Sequence, residues 1–558
     1  MNEESELEEF APWLAIIITL IGGLLRVLLL GSKTMWLDET FSVWLANQSV
    51  GDLLHWIVKI DQHPPLYYLL LHYWVAYRGD TASSVRLLSA LFGTATIPFI
   101  YLIGKRMSGA VVGLVAALLL ALSPFNLYFA QETRMYTLLM FNAAVAIYAV
   151  VRLLTDSRTV KPIGSQFREY LHAWRAVEPA EPNTKQAFSY AESPPQSGWR
   201  AWLWCHRSLH IQRIETDLAW IALIVFSAAT LFTHNTAIFF VLATNSFVLG
   251  LMLFQRLNKA GDGPAFQAPS FWNWVKAQIG ILLLWSPWLL TFIRQASRVD
   301  QEFWIPKPSW EIVSQTLRAL LNASALGQIS QVMTAILCVV LGFGVVYYRK
   351  KRSIFFFLAV LFATPVLGEL IVSMRRPIFL GKTLIWITIP LLLLLAAGIA
   401  QLKFRSLISA MLVILSANYL FADGDYYRFV QKEDWRTAAG YVANFAQKDD
   451  LVLFNSNFVE IAFDYYFKPY EDLYALHLEQ RGVPLDLFES GILEPKMTTA
   501  DLPALIALVS GHHRVWLVYS HNSYTDPNGL IPPALAAKLK LSQTRDFYGG
   551  QVQLYVNP

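Results

Sequence analysis

The chain has 558 residues, 55% of them hydrophobic and 15% charged, where a soluble domain of ordinary composition carries about a quarter charged residues. That balance cannot be hidden in one soluble core, and a formal net charge of +4, with its basic residues scattered over short loops, argues against a nucleic-acid binder. Two cysteines only, Cys205 in a polar loop and Cys338 in an apolar run, exclude a disulfide framework.

The acidic opening MNEESELEEF runs into an apolar stretch without a small-residue cleavage site, which reads as a first membrane anchor and not as a removable signal peptide. Apolar runs then predict helical spans at about 12–31, 84–104, 109–129, 136–154, 217–233, 236–254, 276–293, 327–348, 354–373, 383–401 and 405–421. That is about eleven, and an odd number places the termini on opposite sides. Loops holding Lys105 and Arg106, Arg152 to Arg213, Arg256 to Lys276, Arg349 to Arg352, and Lys403 with Arg405 are the basic set, which the positive-inside rule makes cytoplasmic. The expected fold class is therefore an α-helical polytopic membrane bundle over residues 1–421, with an extracytoplasmic α/β domain over 422–558.

Arg26 lies inside the first apolar run, and its readings are a snorkelling side chain, which is favoured, or a partner for a loop acid. The first outer loop, about 32–83, holds KTMWLDETFSVW and DQHPPLYYLLLHYW, which put Asp38, Glu39, Asp61 and His63 near the membrane surface among aromatics. One carboxylate of the Asp38–Glu39 pair can act as a base while the other orients a partner or a cation; a solvated acidic loop is the bland alternative. His63 precedes Pro64 and Pro65, which hold it on a stiff segment suited to binding or simply to a turn.

LSPFNLYFAQETRMYTLLM puts Gln131, Glu132, Arg134 and Tyr136 where one span should leave the membrane and the next re-enter it. Charge at that depth demands a partner or an aqueous cavity, so Arg134 either binds a phosphate in bidentate fashion or is neutralised by a carboxylate. The polar, Pro- and Ser-rich stretch 155–216 reads as a cytoplasmic insertion. Its end, WRAWLWCHRSLHIQRI, fits an interfacial helix or a helix covering the bundle. MRRPIFLGKTLIW sets Arg375, Arg376 and Lys382 at an outer span entrance, against the orientation rule, as an anionic lipid headgroup would require. Beyond the spans, DLVLFNSNF and RVWLVYSHN read as buried strands and DWRTAAGYVANFAQ as an amphipathic helix opened by Asp434.

WLDETFS, HPPLYYLLLHYW, VRLLSALFGTATIP, ALSPFNLYFAQETRMY and RPIFLGKTL resemble the ordered motifs of membrane glycosyltransferases of the C-type fold. Within that group the chain is most similar to the bacterial branch of glycosyltransferase family 39, related to protein mannosyltransferases and to the aminoarabinose transferases of lipid A. The likeness is dense from about residue 36 to 140 and thinner afterwards. It implies an integral protein of the bacterial plasma membrane, a polyprenyl-phosphate-linked sugar as donor, an acceptor that is a lipid, glycan or protein, and a divalent-metal requirement that varies among relatives. Asp38 matches the proposed catalytic aspartate and Glu39 its neighbour, with His63, Arg134 and Tyr136 on motif positions around the cavity. Where relatives commonly show Arg-Tyr, this chain has Lys382-Thr383, which keeps a cation but loses the guanidinium fork. The expected reaction is an inverting transfer on the extracytoplasmic side, with Asp38 as general base and fixed cations at the departing phosphate. A transporter or flippase of lipid-linked sugar intermediates, with the charges as gates, is the alternative.

Overall fold

The computed structural model describes residues 3–61, 63–156, 199–257, 265–298, 305–321 and 327–558. Most of the expected insertion at 155–216, residues 157–198, lies outside these described residues. Nine helices among them are long and apolar enough to cross a membrane, and ten if one bent pair counts as a span. The chain is an integral membrane protein. Apolar side chains such as Leu24 and Leu290 face outwards, 66% and 70% exposed, as lipid-facing positions do.

The expected count of about eleven differs from this at two places. The run at 109–129 is broken into helices α6 (Ala110–Ala121) and α7 (Pro124–Ala130), which meet at 55°. Pro124 supplies no backbone donor to continue α6, and Ser123 caps α7 by accepting from the Asn126 amide at 3.3 Å. The run at 383–401 opens with a 3₁₀ turn, Ile385–Ile387, and continues as a buried helix, Thr388–Ala400, of 13 residues. At 1.5 Å per residue that helix rises only ~20 Å, short of the ~30 Å hydrocarbon thickness.

Arg26, in helix α1 (Glu3–Val27), does not snorkel. It is fully buried and donates to the carbonyls of Leu120 and Ala121, both at 2.9 Å. These are carbonyls at the C-terminal end of α6, where the helical ladder runs out; that of Leu120 also accepts from the Ser123 amide at 3.3 Å. The bend thus delivers the chain into the short loop 131–135, just ahead of α8 (Tyr136–Asp156). The segment 199–214 is helical and continuous with the span in a single helix, Trp199–Thr233.

Between α1 and α5 (Ala82–Ser108) lie three shorter helices, α2 (Leu37–Ala46), α3 (Val50–Lys59) and α4 (Leu66–Arg78). After the helix Arg405–Phe429, residues 430–434 lead to the helix Trp435–Phe445 and a five-stranded sheet. Its strands are β1 (Leu451–Phe454), β2 (Glu479–Gly482), β3 (Arg514–Tyr519), β4 (Lys540–Phe547) and β5 (Gly550–Val556), in the order β2-β1-β3-β5-β4. The β2-β1-β3 part is parallel and β5 and β4 are antiparallel. Asp434 accepts from the Thr437 amide at 3.2 Å and so caps the helix that the sequence places there. The helix Val459–Tyr474 packs against α2, which fixes the sheet domain to the loop helix that carries Asp38 and Glu39.

Candidate active site

The α2 helix begins at Leu37, so Asp38 and Glu39 occupy its first turn, where the helix dipole favours acids. One residue apart on a helix they point in different directions, and their surroundings separate their roles. Glu39 is completely buried. Its Oε1 accepts from Arg86 Nε at 2.8 Å and the Thr133 amide at 2.9 Å, and its Oε2 from Arg86 Nη2 at 2.7 Å and Lys432 Nζ at 3.1 Å. Four donors saturate this carboxylate. Burial alone would raise its pKa, but Lys432 and Arg86 outweigh that and hold it down at about 2.

Arg86 spends the rest of its fork on backbone. Nη1 donates to the carbonyls of Leu30 and Lys33 at 3.0 and 2.9 Å, and Nη2 to that of Thr34 at 2.9 Å. One guanidinium therefore ties the segment before α2 to the first turns of α5. Lys432 bridges Glu39 to Glu132, 3.1 Å from each. Gln131 donates to the carbonyls of Arg26 and Leu28 at 3.2 and 2.7 Å, closing the end of α1. The sequence-derived candidates Glu39, Gln131 and Glu132 thus sit in a buried polar network that sets the height and angle of α2.

Asp38 faces elsewhere. Its carboxylate keeps 29% of its accessibility, and Oδ2 stands 3.5 Å from Lys382 Nζ and 3.8 Å from Arg134 Nε. Arg134 is buried, and its Nη1 is anchored by the Asp38 carbonyl, the Ser42 hydroxyl and the Tyr68 hydroxyl at 3.2–3.3 Å. Among the described residues its buried Nε has no hydrogen-bond partner. Lys382 lies over the rings of Tyr136 and Trp36, at 5.6 and 5.8 Å. Desolvation pushes the Asp38 carboxyl up, yet the charges of Arg134, Lys382 and His63 prevail and hold it below the usual carboxylate range. Lys382 is pushed down by desolvation, but Tyr136 and Asp38 raise it above an ordinary lysine.

His63 Nδ1 is 2.7 Å from Asp61 Oδ1, and its ring stands 5.3 Å from that of His234. His234 is a residue the sequence reading did not single out, as are Arg86 and Lys432. Among the described residues, no group of three or more His, Cys, Asp or Glu gathers to hold a metal ion. Arg376 donates to the Ala296 carbonyl and Arg375 is exposed, so neither joins the contacts around Asp38 described here. Lys382 alone of that basic run reaches the carboxylate, while its neighbour Thr383 donates to the buried Glu369 at 2.9 Å.

A partly open carboxylate flanked by two fixed cations, one with an orphaned donor, is built to meet an anion and a proton donor together. The apo crystal structure of ArnT from Cupriavidus metallidurans superposes with a TM-score of 0.59 at 12% identity, over 97% of both chains. The fold is that of the C-type membrane glycosyltransferases. The same enzyme bound to undecaprenyl phosphate gives 0.54 at 10% identity, again over 97% of each chain. Archaeal oligosaccharyltransferase AglB from Archaeoglobus fulgidus, in complex with an inhibitory peptide and a dolichol-phosphate, gives 0.50 at 10% identity over 98% of this chain and 74% of that one. The family model for dolichyl-phosphate-mannose-protein mannosyltransferase matches residues 62–165, which takes in His63, Arg86, Gln131, Glu132, Arg134 and Tyr136. No curated protein matches the sequence.

Proposed function

We propose that this protein transfers a sugar from a polyprenyl-phosphate donor to an acceptor on the extracytoplasmic face of a membrane, with inversion and with Asp38 as general base. The observation that carries the reading is Asp38 Oδ2 held between Lys382 and Arg134, at 3.5 and 3.8 Å. The relatives of like fold solved with undecaprenyl phosphate and dolichol-phosphate support a lipid phosphate as the natural anion there. The Lys and Arg distribution supports the outer side for this loop.

In the step itself, Asp38 takes the proton from an acceptor hydroxyl or amine as that oxygen or nitrogen bonds to the anomeric carbon. The bond from that carbon to the phosphate oxygen breaks, and the pair of electrons leaves with the lipid phosphate. Arg134 and Lys382 stabilise the charge that develops there. The same cations lower the basicity of Asp38 in the free protein. A bound phosphate draws part of their field to itself, so donor binding raises the basicity of Asp38 just when a base is needed. Glu39 takes no proton in this scheme, because its four lone-pair sites are occupied; it positions α2 through Arg86.

Mass spectrometry of lipid-linked sugars from cells with and without the gene tests the reading. A polyprenyl-phosphate sugar that accumulates in the deletion, and is cleared by the wild-type gene but not by Asp38→Asn, is the expected result. A lipid-linked sugar that only changes leaflet, with Asp38→Asn as active as wild type, would favour transport instead.

A further inference from the structure

Helix α2, which carries Asp38, has no N-cap side chain of its own. Trp36 stands at the cap position and its side chain makes no capping hydrogen bond. The amides of Glu39 and Thr40 turn back to the Trp36 carbonyl at 3.0 and 3.1 Å, but the Leu37 amide, one residue before Asp38, lies outside the helical ladder. Glu433 supplies its acceptor from 396 residues away, with Oε2 at 3.1 Å. A carboxylate at this end of a helix also meets the positive end of the dipole.

The sheet domain fixes Glu433 from three sides. Trp435 Nε1 donates to the same Oε2 at 2.8 Å, and His521 Nε2, just after strand β3, lies 3.2 Å from Oε1. Asn455, after β1, secures the neighbouring Ser520 by accepting from its amide at 2.8 Å and donating to its carbonyl at 2.7 Å. The turn between β4 and β5 closes the third side. There the Tyr548 carbonyl accepts from the Asp434 amide at 2.8 Å, and Gly549, at φ 100°, approaches so closely that a Cβ would stand 2.7 Å from Glu433 Cγ. The same half of the chain holds the approach to α2. Lys33 donates to the carbonyls of Tyr427 and Val430 at 3.2 and 2.6 Å, and the Met35 amide to Tyr466 Oη at 2.7 Å.

We propose that Glu433 is a positioning residue for Asp38, and that the sheet domain acts as a brace that sets the first turn of α2. The inference rests on the transferase reading above, in which Asp38 is the base, and extends it to the domain beyond the spans. A side chain in the first turn of a helix moves with that turn. Asp38 Oδ2 stands 3.5 and 3.8 Å from its two cations, so a shift of about 1 Å changes both contacts and the alignment of the base, and misplacement of that size can lower a rate about a hundredfold. Arg134 and Lys382 lie on other segments of the chain, so donor affinity depends less on Glu433 than turnover does.

The test uses the full-length protein in lipid nanodiscs. The total lipid extract of gene-deleted cells is the donor source and their envelope fraction the acceptor source. Transfer is followed by mass spectrometry, and the folded sites in each sample are counted by saturable binding of undecaprenyl phosphate. Glu433→Ala removes the acceptor of the Leu37 amide, whereas Glu433→Gln keeps an oxygen for it. We expect Glu433→Ala to lower turnover per binding site about ten- to a hundredfold, with affinity for undecaprenyl phosphate changed less than about threefold, and Glu433→Gln to keep most of the turnover. In an Asp38→Asn background Glu433→Ala should cost little more, because the group it aligns is no longer a base. Should Glu433→Ala yield no donor-binding sites, Trp435→Phe, which deletes only the indole N–H on Glu433, takes its place, with a several-fold loss per site expected. Wild-type turnover per site in the substituted protein, or the full further loss in the Asp38→Asn background, overturns the brace while the transferase reading stands. An Asp38→Asn protein as fast as wild type, or a wild-type protein that consumes no lipid-linked sugar, overturns both.

Discussion

Both arms of the Arg86 guanidinium close on Glu39, at 2.8 and 2.7 Å, in a site where the two side chains are 2% and 0% exposed. The geometry is bidentate and every remaining Arg86 donor goes to a backbone carbonyl. The pair holds α2 in place and leaves the chemistry to Asp38.

Truncating one member of such a pair strands a buried charge. Glu39→Ala or Arg86→Ala should each destabilise the protein by about 3–5 kcal/mol, seen as a large fall in the thermal midpoint in detergent. The double variant should cost less than the sum of the two. Equal and additive small losses would show that the pair contributes little.

Glu39 also predicts an acid limb of stability. Its folded pKa of about 2 lies below the ordinary 4.5, so its contribution is fully present above 4.5 and is lost as pH falls from there towards 2. Glu39→Gln, with no charge to lose, should show a shallower decline over that window when unfolding midpoints are compared.

Arg134 and Lys382 should matter for the donor more than for the fold. Removal of a charge-assisted contact to phosphate costs roughly 1.5–3 kcal/mol, so Arg134→Ala or Lys382→Ala should weaken binding of undecaprenyl phosphate by about ten- to a hundredfold. Unchanged affinity in both, with melting behaviour intact, would make them structural counter-ions of Asp38.

Donor binding should also shift the pH profile. The cations depress Asp38 in the free protein, and a bound phosphate shares them, so the acid limb of kcat should lie at higher pH than that of kcat/KM for the donor. Coincident limbs would mean that the donor does not relieve Asp38.

Asp38, Arg134 and Lys382 are legible in the sequence because a charge beside an apolar run needs a reason, and the reason can be argued locally. The spans and the two main parallel strands are legible for the same kind of reason, apolar run length. Other features need long-range pairing. Lys432 meets Glu39 across 393 residues, and a KED run after a span reads equally well as a solvated linker. Arg86 carried a usable signal, a charge in the first turns of an apolar helix. The break at Ser123–Pro124 carried one as well, since that dipeptide starts turns.

The central claim is that Asp38 removes the acceptor proton. Asp38→Asn keeps the size of the side chain but cannot take a proton at neutral pH. The decisive measurement is sugar transfer by the purified variant in lipid, with binding of undecaprenyl phosphate measured in parallel to confirm the fold. General base catalysis contributes about 10²- to 10⁴-fold, so turnover should fall by that order with donor affinity reduced little or even improved as the two cations are freed. Near-normal turnover by Asp38→Asn, with transfer abolished by Glu39→Gln in a stably folded protein, would contradict the account and move the chemistry to the neighbouring carboxylate.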